Sequence, residues 1–572
     1  MTALLTDNLP LLAGASNGIK KLRELILELA VRGKLVTQDP NDEPASTLLK
    51  KIAEEKLRLV AEGKIRKQKL QPSADREEIS FPLPNGWEIE RLGVISHFIT
   101  KGTTPTTLGH AYTSSGIRFV KVENIEARRI TTTAISQFIS PDTDELMSRS
   151  RLETGDVLFS IAGTIGKTCS VQESDLPANT NQALAIIRGT STVFLQNFLL
   201  SQLDSFVSEK TKERARGGAM PNVSLGDLSD LVLVVPPLAE QRRIVAKVDE
   251  MMSLCDRLEA QQADSESAIA RLVQALLDRL TQASDAIDFA ANWQRLAEHF
   301  HTLFTTENSI DALKQSLLQL AVMGKLVPPN PNDEPTSELL KRIPAEKERS
   351  SGERKAKKIK ELQPLDNFPF DLPTHWGWIK LGSLLTDLRY GTAIKCDYSG
   401  VGIPVLRIPN IGDPTVLPSD LKYGPLSSDE ASALELHPGD ILMIRSNGSA
   451  SLVGKTAVVT DSVSHCAFAG YLIRLRLLQS CIDPYYLQLV MKSLDVRNSI
   501  EAPIRTTSGV KNINSTEVSN LQIPLPPVAE QKRIVVTMEK FMALCDQLKS
   551  RLSQVRQLNE QLASTLVERV VA

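Results

Sequence analysis

Leu29-Ala30-Val31-Arg32-Gly33-Lys34-Leu35-Val36 returns as Leu320-Ala321-Val322-Met323-Gly324-Lys325-Leu326-Val327. Asn41-Asp42-Glu43-Pro44 returns as Asn332-Asp333-Glu334-Pro335 at the same offset of 291 residues. Pro236-Pro237-Leu238-Ala239-Glu240-Gln241-Arg242-Arg243-Ile244-Val245 returns as Pro526-Pro527-Val528-Ala529-Glu530-Gln531-Lys532-Arg533-Ile534-Val535, offset by 290. The blocks between these anchors, 85–235 and 374–525, barely match each other. Solenoid repeats recur every ~20–50 residues, so this long repeat is of another kind. Similar ends around dissimilar middles describe one scaffold carrying two different readers.

A chain of 572 residues has room for ~3–4 domains at roughly 150 residues each. A hydrophobic content of 42% is ample for globular cores. The formal net charge of −2 excludes a polycation, so any nucleic-acid contact must come from local basic patches or from a partner's field. None of the six cysteines forms a C-x-x-C pair, and the seven histidines show no H-E-x-x-H pattern. The expectation is therefore no zinc site, no disulfide framework and a reducing compartment. No basic stretch leads into an apolar core near Met1, and no run of ~18 apolar residues exists, so a cytoplasmic protein with no membrane span is expected.

After a loose tail over 1–18, Ile19, Leu22, Leu25, Ile26 and Leu29 have helical spacing, ended by Gly33. A second helix is predicted over Ser46–Ala61, with Ser46 as its N-cap. The basic runs Lys64–Lys69 and Arg354–Lys360 read as solvated charge, with phosphate contact the other reading. Block 85–235 changes texture: β-type runs at Ile117–Val122, Asp156–Ile161 and Ala183–Ile187 alternate with Gly, Thr, Ser and Asn, and a helix is expected over Phe194–Ser208. Block 374–525 has the same texture, with strands near Pro404–Ile408, Asp440–Ile444 and Leu472–Leu477. Weak alignments join the blocks, among them Gly155-Asp156 with Gly439-Asp440 and Gly166-Lys167-Thr168 with Gly454-Lys455-Thr456.

Each block ends in Pro-Pro and a long helix. With Gln241 at heptad position a, Val248, Cys255, Gln262, Ile269 and Leu276 follow at a, and Ile244, Met251, Leu258, Ser265, Leu272 and Arg279 at d. The second copy places Gln531, Met538, Cys545, Leu552, Asn559 and Leu566 at a, and Ile534, Phe541, Leu548, Val555, Leu562 and Arg569 at d. Heptads sustained this long predict a coiled-coil seam, roughly 65–70 Å long over 238–282. The paired Cys255 and Cys545 read as small buried apolar residues. The helix ending at Ala572 lacks the Gly-Lys-Leu-Val finish of the central unit, and Ile19–Val36 supplies it. The two ends of the chain are therefore expected to meet in a pseudo-two-fold, circular arrangement. The expected class is α+β, with mixed α/β domains separated by long antiparallel coiled-coil helices.

A duplicated head, a variable block and a Pro-Pro-[Leu/Val]-Ala-Glu-Gln-[Arg/Lys]-Arg-Ile-Val helix resemble the specificity subunit of type I restriction–modification systems over essentially the whole chain. The resemblance implies a scaffold segment over 1–80, a first target-recognition domain over 81–235, a central scaffold with a long coiled-coil helix over 236–368, a second recognition domain over 369–525 and a C-terminal coiled-coil helix over 526–572. It implies a non-catalytic chain that binds double-stranded DNA, two methyltransferase subunits and restriction subunits. S-adenosylmethionine, ATP and Mg then belong to those partners, and this chain carries no cofactor and no metal. Residue chemistry alone leaves a scaffold with two protein- or glycan-binding domains open. An NTPase using the Gly-Lys-Thr turns is disfavoured, because Gly163…Gly166-Lys167 and Gly448…Gly454-Lys455 have the wrong P-loop spacing and lead into strands.

No catalytic set emerges; the chain has neither a G-x-S-x-G elbow nor an Asn-Pro-Pro-aromatic motif. Arg and Lys pair with guanine edges and Asn with adenine, which makes polar loop residues the candidate DNA contacts. In the first domain these are Lys101, Thr103, Thr104, Arg118, Lys121, Asn124, Arg214, Arg216 and Asn222. In the second they are Tyr390, Thr392, Lys395, Arg407, Asn410, Arg445, Asn447, Arg505, Thr506, Lys511 and Asn512. The segments 214–222 and 505–512 weigh most, since each combines glycine, positive charge and amide donors just before the last strand of its block. For partner docking, the outward faces of the Ala-Glu-Gln helices are the candidates: Glu240, Gln241, Arg243, Glu530, Gln531 and Arg533. Glutamate at a helix start also suits the helix dipole, which is the competing reading.

Overall fold

The computed structural model of the protein describes residues 17–65, 71–189, 195–205, 222–283, 285–351, 362–365, 367–502, 505–507 and 510–571. The basic runs after Ile65 and over 354–360 lie outside these residues. The chain forms two compact units, one of Met1–Asp264 with Val555–Ala572 and one of Ser265–Gln554. The helix Leu238–Thr281 begins in the first unit and ends in the second, and Val528–Val571 does the reverse.

In the first unit, the leading helix Gly18–Val31 buries Leu22, Leu25, Ile26 and Leu29 on one face. Each fully buried aliphatic side chain contributes about 1.5–3 kcal/mol. The helix ends where Gly33 turns to a φ of +67° and Lys34 N–H donates to the Leu29 carbonyl at 2.9 Å. Gly324 repeats this turn at φ +73°, with Lys325 N–H on the Leu320 carbonyl at 3.0 Å. Glycine is needed there twice over. A Cβ on Gly33 would stand 2.5 Å from Pro84 Cγ and 2.9 Å from the Trp87 ring, and one on Gly324 would stand 2.6 Å from Pro373 Cγ. The leading helix meets the last helix, as expected: Lys21 Nζ donates to Ser564 Oγ at 2.5 Å, and Ala563 is buried in the same core as Ile19 and Leu22. The second helix is Ala45–Ala61, one residue earlier than expected. Pro44, not Ser46, occupies its cap position, and its fixed φ of −65° starts the helix with no side-chain cap.

The first block, inside unit one, carries an antiparallel sheet in the order Phe98–Lys101, Leu184–Arg188, Val157–Ser160, Thr168–Ser170. A smaller sheet has the order Phe138–Ile139, Ile117–Val120, Ala178–Thr180. The first and last strands of the block, Glu88–Arg91 and Val232–Val235, pair with each other and close it. Successive strand residues point to opposite faces. Accordingly Val157, Phe159, Ala185 and Ile187 join the scaffold core, while Leu158, Leu184 and Ile186 join a second core beyond the sheet.

The second block, inside unit two, has the same plan. Its main sheet runs Leu385–Tyr390, Leu472–Leu477, Ile441–Ile444, Thr456–Val458, its smaller sheet Lys422–Gly424, Ile403–Leu406, Ala467–Phe468, and Gly377–Lys380 pairs with Gln522–Leu525. An extra sheet joins Ser446–Asn447, Val510–Asn512 and Arg505–Thr507. The aligned Asp156 and Asp440 do the same work. Each is buried and holds an arginine of the neighbouring strand, Arg188 at 2.6 Å and Arg476 at 2.7 Å.

The heptad reading holds for the first half of each long helix. Gln241, Ile244, Val248 and Cys255 are buried, as are Gln531, Ile534, Met538 and Cys545. It fails further along. Leu272, Arg279, Val555 and Leu562 at d are exposed, while Val273, Leu277, Leu280 and Ala563 are buried. A straight α-helix drifts ~20° per heptad, so over roughly five heptads the buried face moves by about one residue. Within each unit, moreover, the first half of a long helix packs against a short helix. Arg23 of the leading helix pairs with Asp256 and Glu259, and in the second unit Lys314, on helix Glu307–Val322, pairs with Asp546.

Candidate nucleic-acid interface

The duplicated motifs converge on one clasp, present in each unit. Trp87 Nε1 donates to Glu240 Oε2 at 2.9 Å, and Trp376 Nε1 donates to Glu530 Oε1 at 3.1 Å. Gln241 accepts from Leu195 N–H at 3.0 Å and donates to the Pro236 carbonyl at 2.9 Å. Gln531 likewise accepts from Asp483 N–H at 2.7 Å and donates to the Pro526 carbonyl at 3.0 Å. Arg243 pairs with Asp42 at 2.6 Å and Arg533 with Asp333 at 2.7 Å, which explains why Asn-Asp-Glu-Pro repeats with Ala-Glu-Gln. Burial pushes the Glu240 and Glu530 carboxyls up from the ordinary glutamate range, against the opposing pull of their donors and arginines. This corrects the docking assignment. Glu240, Gln241, Glu530 and Gln531 are at most 1% exposed and tie each long helix to its own sheet domain, so they face no partner. Arg243 and Arg533 remain partly exposed but are engaged by the aspartates.

Several predicted DNA contacts are engaged within their own domain, and two of them are buried. Asn124 and Asn410 are buried, and each accepts from a backbone N–H three residues back, Lys121 at 2.9 Å and Arg407 at 2.7 Å. Asn124 also donates to the Ala134 carbonyl and Asn410 to that of Leu417, both at 3.1 Å, so both amides brace a turn. Arg118 donates to the Ser174 and Leu176 carbonyls at 3.1 and 3.2 Å. Arg407 holds Asp420 at 2.8 Å; burial opposes its charge, but Asp420 and Tyr398 outweigh burial and raise its pKa. Lys121 lies over the Tyr112 ring at 5.4 Å and near Glu123 at 3.9 Å. Lys167 Nζ donates to the Ile125 carbonyl at 3.0 Å, so this lysine of the P-loop look-alike is a brace within a strand-connecting turn.

The remaining candidates gather at one edge of each domain. In the first, Lys101 ends its strand and is exposed, followed by Gly102, Thr103 and Thr104. Thr103 N–H donates to the Thr180 carbonyl at 3.2 Å, and the Thr104 hydroxyl donates to Gln182, which the sequence reading missed. Exposed Asn222 bridges Ala162 on the same side. In the second domain Tyr390 ends the matching strand, followed by Gly391 and Thr392, whose N–H donates to the Phe468 carbonyl at 2.9 Å. Both glycines are forced: a Cβ on Gly102 would lie 2.1 Å from the Thr180 carbonyl oxygen, and one on Gly391 2.2 Å from that of Phe468.

Arg445 lies over the Tyr390 ring, 4.5 Å from its centre, and Tyr390 Oη accepts from Ser515 N–H at 2.8 Å. Asn447 pairs with Lys511, Ser446 with Asn512, and Arg505 and Thr506 form the outer strand opposite Asn512 and Lys511. Lys395 is exposed on the loop after Thr392. Tyr471, 40% exposed, accepts from Arg445 N–H through its carbonyl at 2.9 Å and was also missed, since nothing in Ala469-Gly470-Tyr471 marks it in sequence. Arg214 and Arg216 lie outside the described residues, as do the side chains of Arg505 and Thr506.

Among the described residues no group of three or more His, Cys, Asp or Glu could hold a metal, and no helix is long and apolar enough to cross a membrane. All six cysteines are free, and burial pushes the Cys169 thiol up to about 12 and that of Cys545 to about 11.

Two sheet domains of one plan, each clasped by the same residues to a duplicated helical scaffold, define a two-module specificity protein. The chain belongs to the type I restriction modification DNA specificity domain family, which matches residues 84–265 and 373–557. It is 36% identical over 567 residues to the type I restriction enzyme EcoAI specificity subunit of Escherichia coli, covering 97% of this chain and 94% of the relative. It is equally 36% identical to the EcoEI specificity subunit of Escherichia coli, covering 96% and 93%. With the EcoKI specificity subunit of Escherichia coli strain K12 the identity is 23% over 490 residues, covering 84% and 88%. The chain is thus a type I restriction–modification specificity subunit.

Proposed function

We propose that this subunit reads a split, asymmetric sequence in double-stranded DNA, one half with each sheet domain, and that the long helices set the distance between the halves. Two methyltransferase subunits dock on the scaffold, and restriction subunits join them. Adenine methylation and ATP-dependent cleavage reside in those partners, with S-adenosylmethionine, ATP and Mg; this chain is non-catalytic. The observation that carries the reading is the pairing of equal backbones with unequal side chains. The loops at Gly102 and Gly391 make matching hydrogen bonds, yet present Lys101 in one domain and Tyr390 in the other. A surface that keeps its frame and changes its donors is suited to reading different base edges. In duplex DNA, spacing is also an angle, which suits a continuous helix of 44 residues, about 66 Å long, to the role of a ruler.

The test is a methylation map of DNA from cells carrying this subunit and its methyltransferase, with a version in which 85–235 is exchanged for the block of another family member. The expected result is a bipartite motif, methylated on both strands, in which the exchange alters one half alone. A change in both halves would remove the modular reading, and methylation that persists after deletion of the subunit would remove the specificity role.

A further inference from the structure

The two domains can be matched by their backbone hydrogen bonds at the end of the central sheet strand. In the first, Ile161 N–H donates to the Ala183 carbonyl and the Ile161 carbonyl accepts from Val223 N–H, both at 2.9 Å. In the second, Arg445 N–H donates to the Tyr471 carbonyl at 2.9 Å and the Arg445 carbonyl accepts from Ile513 N–H at 3.0 Å. Ile161 and Arg445 are therefore the same position in two domains whose sequences barely align. Ile161 is a core residue, 1% exposed. In the second domain this position carries a guanidinium instead.

That guanidinium is held but unspent. Its carbon lies 4.5 Å from the centre of the Tyr390 ring, and Tyr390 is fixed through its hydroxyl by Ser515 N–H. Arg445 Nε is buried and has no hydrogen-bond partner among the described residues. The other arginines of this domain whose side chains are described are committed: Arg389 and Arg474 to Asp387, Arg407 to Asp420, Arg476 to Asp440 and Arg497 to Glu501. From Arg445 the chain runs straight into the small edge sheet, where Ser446 pairs with Asn512 and Asn447 with Lys511. A planar cation stacked on an aromatic face loses little freedom when it binds, and its fork of donors matches the O6 and N7 acceptors of guanine.

We infer that Arg445 is a specificity-determining residue that reads a guanine in the half-site of the second domain, with Tyr390 as its positioning platform, whereas Ile161 leaves the first domain without this contact. This rests on the DNA-reading function above and names the base that one position of that interface selects. Asn222 and Asn512 match across the domains, opposite Ala162 and Ser446, whereas Ile161 and Lys101 stand where the second domain has Arg445 and Tyr390.

The experiment is methylation mapping of the assembled subunit with its methyltransferase, for the wild type, Arg445→Ile, Arg445→Lys and Tyr390→Ala. Arg445→Ile imports the residue that this backbone already accepts in the first domain, and an unchanged melting temperature checks the fold. The wild-type motif is expected to contain a G·C pair in the second half-site. Arg445→Ile is expected to relax discrimination at that one position by roughly 5- to 150-fold and to leave the first half unchanged. Arg445→Lys retains charge without the planar fork and is expected to relax the same position, while Tyr390→Ala relaxes it less. A second half-site without a G·C pair, or an even loss across the second half with no single position relaxed, overturns the role of Arg445. Absence of any bipartite motif in the wild type overturns the DNA-reading function itself, a separate and recognisable result.

Discussion

The indole N–H of Trp87 ends on the carboxylate of Glu240, 2.9 Å away in a buried site, and Trp376 repeats the contact with Glu530 at 3.1 Å. Residues 153 positions apart in one unit and 154 in the other are thereby joined, and the first turn of a long helix is fixed to the residue that leads into the first strand of a sheet domain. Replacing Glu240 with alanine leaves a buried donor unsatisfied, a loss of about 1–3 kcal/mol. The expected result is a lower urea midpoint and faster amide exchange in Glu88–Arg91. Unchanged exchange there would show that the clasp does not hold the strand.

The pH dependence follows from the raised carboxyl of Glu240. The folded state holds this proton more tightly than the unfolded chain. Its stabilising contribution is therefore full below the unfolded pKa and is lost as pH rises through the higher, folded value. Glu240→Gln keeps an acceptor for Trp87 and removes the titration. Its stability relative to wild type is expected to become more favourable as pH rises from about 4, near the ordinary glutamate value. A difference between the two proteins that stays flat across that window would contradict this account; denaturant titrations at a series of pH values measure it.

Asp156 and Asp440 each hold a partly buried arginine bidentately and also accept a backbone N–H, from Glu153 at 2.8 Å and from His437 at 2.9 Å. Breaking a buried pair of this kind costs up to about 3–5 kcal/mol, and the loss at Asp156 is the smaller because Arg188 keeps Glu153 at 2.5 Å. Asp156→Ala and Asp440→Ala are expected to destabilise their own domains by that order, read by urea denaturation, whereas Lys51→Ala, which breaks the exposed pair with Glu43, is expected to cost under about 1 kcal/mol. Equal effects from buried and exposed pairs would mean that desolvation is not what sets the scale.

The repeat made the scaffold legible, because Gly33, Asp42, Glu240 and Arg243 recur with their contacts and geometry demands the same residues twice. The sheets were legible from their apolar runs. Burial was not: Asn124 and Asn410 carry the residue type of a base reader and the position of a turn brace, and only their closed hydrogen bonds separate the two roles. Glu240 and Gln241 misled for the opposite reason, as polar residues at a helix start that turn inward to bind an indole and backbone groups. The match between Ile161 and Arg445 was hidden because it lives in backbone pairing, with no shared side chain to mark it.

The drift of the buried face along the first long helix gives a prediction for two leucines five residues apart. Leu272 satisfies the heptad d position and is 51% exposed, while Leu277 lies off the heptad and is 1% exposed in the core of the second unit. A supercoiled seam would bury Leu272; a straight helix, losing ~20° per heptad, buries Leu277 instead. Leu277→Ala is expected to destabilise the protein by about 2–5 kcal/mol, the usual range for emptying a leucine site in a packed core. Leu272→Ala is expected to change stability by no more than about 0.5 kcal/mol, as surface substitutions do. Both variants are measured by urea denaturation of the full chain. A costly Leu272→Ala beside a silent Leu277→Ala would restore the uninterrupted heptad seam and with it a supercoiled rod.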